Sequence, residues 1–125
     1  MASAHLADKR ILVVEDDELT RDALRLILEA KHYTVHGSAN GWEALDHLRH
    51  SAVPALILLD LMMPVMDGWQ FRRHLAQHAA WASIPLVVFS AAGNIHQEAA
   101  SLGAAGYLEK PIDLDKLLDT VQRLC

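Results

Sequence analysis

Four short runs of apolar residues place the strongest constraint on how this chain can fold. The runs are rich in Val, Ile and Leu, and they span Ile11 to Val14, Ala55 to Leu59, Leu86 to Phe89 and, more weakly, Tyr107 and Leu108. Apolar runs that do not alternate with polar residues are typical of parallel strands that helices cover on both faces. Tyr33 to His36 is a poorer strand candidate, but it lies at a suitable interval for a fifth strand.

Segments with helical periodicity lie between these runs. Asp113 and Asn40 are candidate N-caps for two of them, and Gly103 would end another. The apolar positions of the predicted helices are, in chain order, Leu19, Ala23, Leu26, Ile27 and Ala30; Trp42, Leu45 and Leu48; Phe71 and Leu75; Ile95, Ala99 and Leu102; and Leu114, Leu117, Leu118, Val121 and Leu124. Five βα units in series predict an α/β fold, a doubly wound five-stranded parallel sheet with five helices.

Length and composition limit the classes of protein that fit. At 125 residues the chain suits one domain, so we expect residues 1–125 to form it, with a core from about residue 10 to residue 124. The net charge of −5 with neutral histidines argues against a nucleic-acid surface that works by phosphate neutralisation. The sequence has neither a signal peptide nor an apolar stretch that could span a membrane, and its single cysteine suits a reducing compartment. A cytoplasmic protein is expected.

Polar side chains follow the apolar runs where the predicted strands end. The acids from Glu15 to Asp17 follow the first run, Asp60 ends the third strand, Ser90 ends the fourth, and Lys110 follows the fifth. The carboxyl ends of parallel strands share one edge of the sheet, so these groups should converge. Clustered carboxylates repel one another, and Mg²⁺ removes that conflict because it prefers oxygen ligands. A carboxylate with a metal, an ammonium and a hydroxyl nearby is suited to phosphoryl transfer.

Four segments together resemble the receiver domain of response regulators in two-component signalling. They read ILVVEDDE, LILLDLMMPVMDG, VVFSA and GYLEKP, and the resemblance covers the chain from about Arg10 to Leu124. It implies the flavodoxin-like receiver fold and transfer of a phosphoryl group from a sensor histidine kinase or a phosphotransfer protein. It also implies a domain that promotes its own phosphorylation and dephosphorylation and is not otherwise an enzyme.

The resemblance implies a role for each residue of these motifs. Asp60 is the expected phosphoacceptor, and Mg²⁺ (or Mn²⁺) is expected on Asp16, Asp60 and the backbone carbonyl of Met62, with Glu15 acting through a water. The other expected roles are phosphoryl binding and switching for Ser90, Lys110 and Tyr107, a structural role for Pro111, Pro64 and Gly68, and control of hydrolysis for Met62 and Ala92. The Lys110–Pro111 bond is expected to be cis. We interpret Asp17 mainly as a cap of the first helix.

Two further expectations concern the backbone at Gly68 and the surface that transmits the signal. Gly68 is expected to adopt backbone angles that are closed to other residues. Phosphorylation is expected to alter the face built from the fourth predicted helix, the fifth strand and the fifth predicted helix. Because the chain ends at that helix, we expect no output domain here and expect the signal to leave through contact with another protein.

Other functions fit the sequence less well. Mg²⁺-dependent phosphatases of the haloacid-dehalogenase type also use a strand-end Asp and a Lys, but they place a second Asp two residues after the nucleophile, where this chain has Met62. An FMN site would need a phosphate-binding loop after the first strand, where three acids stand instead. The pairs His47/His50 and His74/His78 have spacings that can bind a transition metal, although solvent-exposed helix faces are the favoured interpretation.

Overall fold

The computed structural model describes residues 9–63, 65–91 and 93–125, so Pro64 and Ala92, to which the sequence assigns roles, lie outside the described residues. The strands are β1 (Arg10–Val14), β2 (Thr34–Ser38), β3 (Leu56–Asp60), β4 (Leu86–Ser90) and β5 (Gly106–Glu109). The helices are α1 (Glu18–Glu29), α2 (Gly41–His50), α3 (Gly68–Ala76), α4 (Ala79–Ala82), α5 (Ile95–Leu102) and α6 (Leu114–Leu124). None of these helices is long and apolar enough to cross a membrane.

The five strands form one parallel sheet in the order β2-β1-β3-β4-β5. The chain moves outward from β1 to β2 and then crosses back to β3, so the strand order reverses between β1 and β3. In sheets of this kind the functional crevice lies beyond the carboxyl ends of the strands at that reversal. The predicted doubly wound fold is confirmed, and the site is to be sought after β1 and β3.

The apolar runs supply both faces of the sheet. Leu12, Val14 and Leu59 belong to a core cluster with the buried residues of α2, α3 and α5. Ile11 and Val13 belong to a second cluster, which includes the buried apolar residues of α1 and α6. Successive side chains of a strand point to opposite faces, so a strand that is covered on both sides must be apolar at every position.

The helices depart from the prediction in two respects. The short helix α4 was not predicted, since four residues are too few to show a helical period; it buries Trp81. In α1 the buried residues are Leu24 and Leu28, whereas Leu19 is 80% and Leu26 60% exposed, so the predicted apolar face was wrong. Five of the six residues from 23 to 28 are apolar, and periodicity alone could not decide which side of this helix meets the sheet.

The predicted helix ends agree with the structure. Asn40 Oδ1 accepts a hydrogen bond from the Glu43 amide at 2.9 Å, and Asp113 Oδ1 accepts one from the Lys116 amide at 3.1 Å. Gly103 ends α5 in the left-handed conformation, with φ of 68°. These caps satisfy backbone groups that have no partner within the helix, which explains why short polar residues and glycine mark the ends.

Gly68 serves packing rather than backbone conformation. Among the described glycines only Gly103 has a positive φ, so the left-handed backbone expected at Gly68 was wrong. Gly68 is the first residue of α3, and a β-carbon there would overlap Leu61 Cδ2 and lie 3.4 Å from Leu61 Cα. Because Leu61 is fully buried, its side chain has little room to move away.

We predict that Gly68→Ala lowers the free energy of unfolding by about 1–3 kcal/mol, because the added methyl group overpacks the region around Leu61. Gly93→Ala is the matched control, since a β-carbon there meets no atom within 4 Å, and its effect should stay within about 0.5 kcal/mol. Urea denaturation of the three proteins in metal-free buffer measures the difference. Equal stability of the two variants would contradict the packing role of Gly68.

Candidate functional site

Three carboxylates and one ammonium meet beyond the carboxyl ends of β1, β3 and β5. Glu15 follows β1 and is fully buried, Asp60 ends β3 and is 2% exposed, and Asp16 lies beside them at the surface. One carboxylate oxygen of each residue lies within 4.8 Å of the other two. Lys110 Nζ donates to Glu15 Oε1 at 3.0 Å and to Asp60 Oδ2 at 3.2 Å. The structure therefore brings together Glu15, Asp16, Asp60 and Lys110, as the sequence predicted.

Lys110 offsets the charge of the two buried acids. Its own burial lowers the pKa of the ammonium, but the hydrogen bond to Glu15 and the charge of Asp60 outweigh that effect, so the pKa of Lys110 is raised overall. Loss of solvent, followed by the hydrogen bond and charge of Glu15, raises the pKa of Asp16. Three carboxyl groups thus surround a single ammonium, and a further cation would offset their negative charge.

A divalent metal ion fits this cluster. The donors are carboxylate oxygens, which hard divalent cations prefer, and the exposed side of Asp16 leaves room for water ligands. Within residues 9–63, 65–91 and 93–125, no other group of three His, Cys, Asp or Glu side chains offers ligand atoms this close together. The receiver-type acidic pocket that the motifs predicted is present in the fold.

The hydroxyl and aromatic residues expected at the site lie on the neighbouring strands. Ser90 ends β4 with no exposed surface, and its carbonyl accepts the Lys110 amide at 2.9 Å, so β4 and β5 present the two residues side by side. Tyr107 on β5 is 41% exposed, and its ring meets the His96 ring of α5 edge-on, with 5.4 Å between centroids. The Lys110–Pro111 bond is cis, as expected.

The loop after β3 contacts the Asp60 carboxylate through its backbone. The Met62 amide donates to Asp60 Oδ1 at 3.0 Å, while the Met62 side chain points to solvent and is 65% exposed. Each oxygen of Asp60 thus has one donor, Met62 on Oδ1 and Lys110 on Oδ2. These two bonds fix the orientation of the carboxylate at the end of its strand.

Asp17 stands apart from the carboxylate cluster and caps α1. Its Oδ2 accepts hydrogen bonds from both the amide and the hydroxyl of Thr20, and these bonds lower the pKa of Asp17. The favoured interpretation of this residue as a helix cap is confirmed. The carboxylates of Asp16 and Asp17 therefore have different surroundings, although the residues are adjacent in sequence.

Arg21 and Gly37 also contact the site, and the sequence analysis missed both. Arg21 Nη1 donates to the Glu15 carbonyl at 2.8 Å, and the Arg21 side chain crosses β2 at Gly37. A glycine inside a strand often marks a close approach by another group, and that signal could have drawn attention to Gly37. Nothing in the sequence could have shown which side chain makes the approach.

Several histidine and tryptophan rings outside the site pack against other rings. The rings of His36 and His47 stack with 3.6 Å between centroids, and burial, followed by the charge of His36, lowers the pKa of His47. His74 lies edge-on to Trp42, and His78 packs on Trp81. His47, His74 and His78 thus have ring partners, whereas His50 Nδ1 lies 2.8 Å from the Asp46 carbonyl oxygen. None of these histidines joins a metal cluster among the described residues.

The fold and the site define a class: doubly wound α/β domains with an acidic cluster and a lysine at the carboxyl ends of the strands. The family model described as the response regulator receiver domain matches residues 11–122. The chain belongs to this family and is a receiver domain of the response regulators of two-component systems. The resemblance that the four motifs indicated is confirmed.

Relatives of known name agree with this assignment. The chain is 35% identical over 117 residues to response regulator Rre1 of Synechocystis sp., covering 91% of this chain and 50% of the relative. It is 38% identical to response regulator MprA of Mycobacterium bovis, covering 92% of this chain and 50% of the relative. The chain thus spans about half the length of the curated relatives it matches.

Solved structures show the same fold. The chemotaxis protein CheY4 of Vibrio cholerae superposes with a TM-score of 0.86 at 29% identity, covering 95% of this chain and 100% of that chain. The receiver domain of a signal transduction histidine kinase from Syntrophus aciditrophicus superposes with a TM-score of 0.82 at 31% identity, covering 93% and 89%. Receiver domains of both regulators and kinases are therefore similar to this chain.

We predict that Asp16→Ala weakens Mg²⁺ binding far more than Asp17→Ala does. Loss of a carboxylate from the cluster should raise the dissociation constant by at least about tenfold, which is the effect usually seen even for groups that only support a metal ligand. Asp17 lies outside the cluster, and solvent and salt screen its exposed charge, so Asp17→Ala and Asp17→Asn, which keeps the cap, should both change the dissociation constant little. Isothermal titration with Mg²⁺ measures all four proteins. A larger loss in the Asp17 variants would place the metal elsewhere.

Proposed function

We propose that this domain accepts a phosphoryl group on Asp60 from a sensor histidine kinase or a phosphotransfer protein. The proposal rests on the burial and the surroundings of Asp60. It is a carboxylate with 2% exposure, held at the end of β3 by Lys110 and the Met62 amide, with Glu15 and Asp16 beside it. A buried charge at the end of an apolar strand costs stability unless it is compensated, so its presence favours a chemical role.

The metal at this site is proposed to be Mg²⁺ (or Mn²⁺). Asp16, Asp60 and the backbone carbonyl of Met62 would bind it directly, and Glu15 would act through a water. When bound, the ion supplies positive charge that stabilises the phosphoryl oxygens during transfer. The excess of carboxylates over ammonium groups in the cluster supports a doubly charged ion.

The bonds that form and break in the chemical step belong only to Asp60 and the donor. A carboxylate oxygen of Asp60 forms a bond to phosphorus while the bond from phosphorus to the donor imidazole nitrogen breaks, and the electron pair stays on that nitrogen. Lys110, already 3.2 Å from Asp60 Oδ2, is placed to bind an oxygen of the transferred group, and the Ser90 hydroxyl would bind another.

The new charge would then change a surface. Recruitment of Ser90 would allow Tyr107 to leave its exposed position against His96 and turn inward. The altered face is proposed to consist of α5, β5 and α6, which are the fourth predicted helix, the fifth strand and the fifth predicted helix. We propose a protein rather than nucleic acid as the downstream partner, because a net charge of −5 does not favour binding by phosphate neutralisation. We also propose a cytoplasmic location and one receiver domain over residues 1–125.

Turnover of external phosphate esters is the less favoured alternative. A phosphatase of the aspartyl-phosphate type needs an acid near the nucleophile to protonate the leaving group. The residue two positions after Asp60 is Met62, whose thioether transfers no proton. The domain would therefore catalyse only its own phosphorylation and dephosphorylation.

We predict that one phosphate is added when the protein is incubated with acetyl phosphate and Mg²⁺, and that Asp60→Asn prevents it because the amide cannot attack phosphorus. Asp113→Asn is the matched control: it removes an aspartate from the cap of α6, where asparagine caps equally well, and it should be labelled like the wild type. Intact-protein mass spectrometry detects the added phosphate. Equal labelling of the Asp60 variant would exclude Asp60 as the phosphoacceptor.

The phosphorylated state is proposed to be long-lived, because the two residues assigned to control hydrolysis offer little help to a water. Met62 has a weak thioether acceptor on an exposed side chain, and Ala92, which lies outside the described residues, has no polar side-chain atom. Hydrolysis needs a water aligned with the bond that breaks and a polar group to orient it. Slow loss of phosphate suits a sustained signal or a relay intermediate.

We predict that Met62→Asn speeds the loss of phosphate several-fold, because an amide can orient the attacking water, and that Met62→Leu leaves the rate close to that of the wild type. The decay of phosphorylated protein after removal of acetyl phosphate gives the rate. Ala92→Glu should act in the same direction. If neither Met62→Asn nor its combination with Ala92→Glu speeds the decay, these side chains do not control the lifetime.

A further inference from the structure

We infer that Arg21 is a positioning residue that fixes the loop carrying Glu15 and Asp16, and that it reaches this loop because residue 37 is glycine. The inference rests on the proposed function, since it concerns the carboxylates assigned to the metal. It begins from the hydrogen bond of 2.8 Å between Arg21 Nη1 and the Glu15 carbonyl. Arg21 lies on α1, six residues after Glu15, and is half-buried.

The Glu15 peptide is held from two elements at once. Its amide donates to the Ser38 carbonyl at 3.0 Å, which continues the pairing of β1 with β2 for one residue beyond the strand. Its carbonyl accepts from Arg21, and a charged donor makes a stronger bond than a neutral one. Because this carbonyl belongs to the peptide unit that joins Glu15 to Asp16, its orientation also sets the position of Asp16.

Gly37 makes this contact possible. It lies within β2, opposite Val13, and a β-carbon there would be 3.0 Å from both Cγ and Cδ of Arg21. Glycine weakens a strand interior and is usually found there where another group approaches closely. The Arg21 stem is the approaching group, so a β-carbon at position 37 would displace this stem by a few tenths of an ångström and shift the guanidinium relative to the Glu15 carbonyl.

Arg21 also has a charge that acts on its surroundings without any fixed bond, as its lowering effect on the pKa of Asp17 shows. Two variants separate the charge from the hydrogen bond. Arg21→Lys keeps the charge but has a shorter reach and no guanidinium fork, and Gly37→Ala keeps Arg21 intact while displacing it. A role that depends on position predicts that both variants impair the loop.

The experiment measures two properties of each variant: hydrogen exchange of the Glu15 and Asp17 amides in metal-free protein, and the Mg²⁺ dissociation constant. The Asp17 amide is informative because it donates to Glu15 Oε2 at 3.2 Å. Arg21→Ala should speed the exchange of both amides and raise the dissociation constant by about tenfold, as is usual for groups that orient metal ligands. Arg21→Lys and Gly37→Ala should show smaller changes in the same direction.

The double variant Arg21→Ala/Gly37→Ala tests the link between the two residues. If Gly37 acts only by making room for Arg21, the double variant should match Arg21→Ala, because neighbours that work through one contact are not additive. Arg25→Ala is the control on the same helix, since Arg25 pairs at the surface with Asp22 and Glu29, and it should leave both properties unchanged.

Three results would overturn the inference. They are unchanged exchange in Arg21→Ala, an Arg21→Lys variant that behaves like the wild type in both properties, and additive effects in the double variant. Failure of the wild type to bind Mg²⁺ would instead refute the metal part of the proposed function. In that case the exchange rates alone still decide whether Arg21 holds the loop.

Discussion

The contact of one ammonium with two buried carboxylates is the interaction on which this site depends. Glu15 and Asp60 have almost no exposed surface, and Lys110 lies 3.0 and 3.2 Å from them. The ammonium offsets the negative charge of both buried carboxylates, which would otherwise face each other without compensation. Because the three residues follow three different strands, the ion pairs also join the ends of β1, β3 and β5. The same contact therefore stabilises the fold and maintains the charge that the proposed chemistry needs.

The sheet explains why the polar residues gather where they do. Its central strands are apolar at every interior position because helices cover both faces, so charged groups are accommodated only at the strand ends. Parallel strands have all their carboxyl ends on one edge, and the reversal of strand order separates the helices there. Around this edge further hydrogen bonds supply order: the Ser38 carbonyl and the Arg21 guanidinium hold the Glu15 peptide, and the Met62 amide holds Asp60.

Comparison of the sequence with the structure shows which patterns are informative. Strands β1, β3 and β4 were evident because a strand buried on both faces consists almost entirely of apolar residues. Asn40, Gly103 and Asp113 marked helix ends because capping depends on local backbone geometry. Two predictions were wrong: the buried face of α1 and the role of Gly68. Both depend on which atoms of a neighbouring helix or strand lie opposite these residues. Neither the periodicity of a helix nor the type of a residue tells which atoms of another element will lie against it.

The sequence by itself determined the fold class, the family and the acids, lysine and hydroxyl of the site, because each follows from local composition or from a motif of fixed spacing. The tertiary structure decided how these groups are paired. It placed Lys110 between Glu15 and Asp60, and it confirmed that Asp17 caps α1 while Asp16 joins the carboxylate cluster. It alone showed that Arg21 crosses Gly37 to reach the Glu15 carbonyl. Contacts of this kind join residues far apart in sequence, and only the packing of helices on the sheet fixes the distances between them.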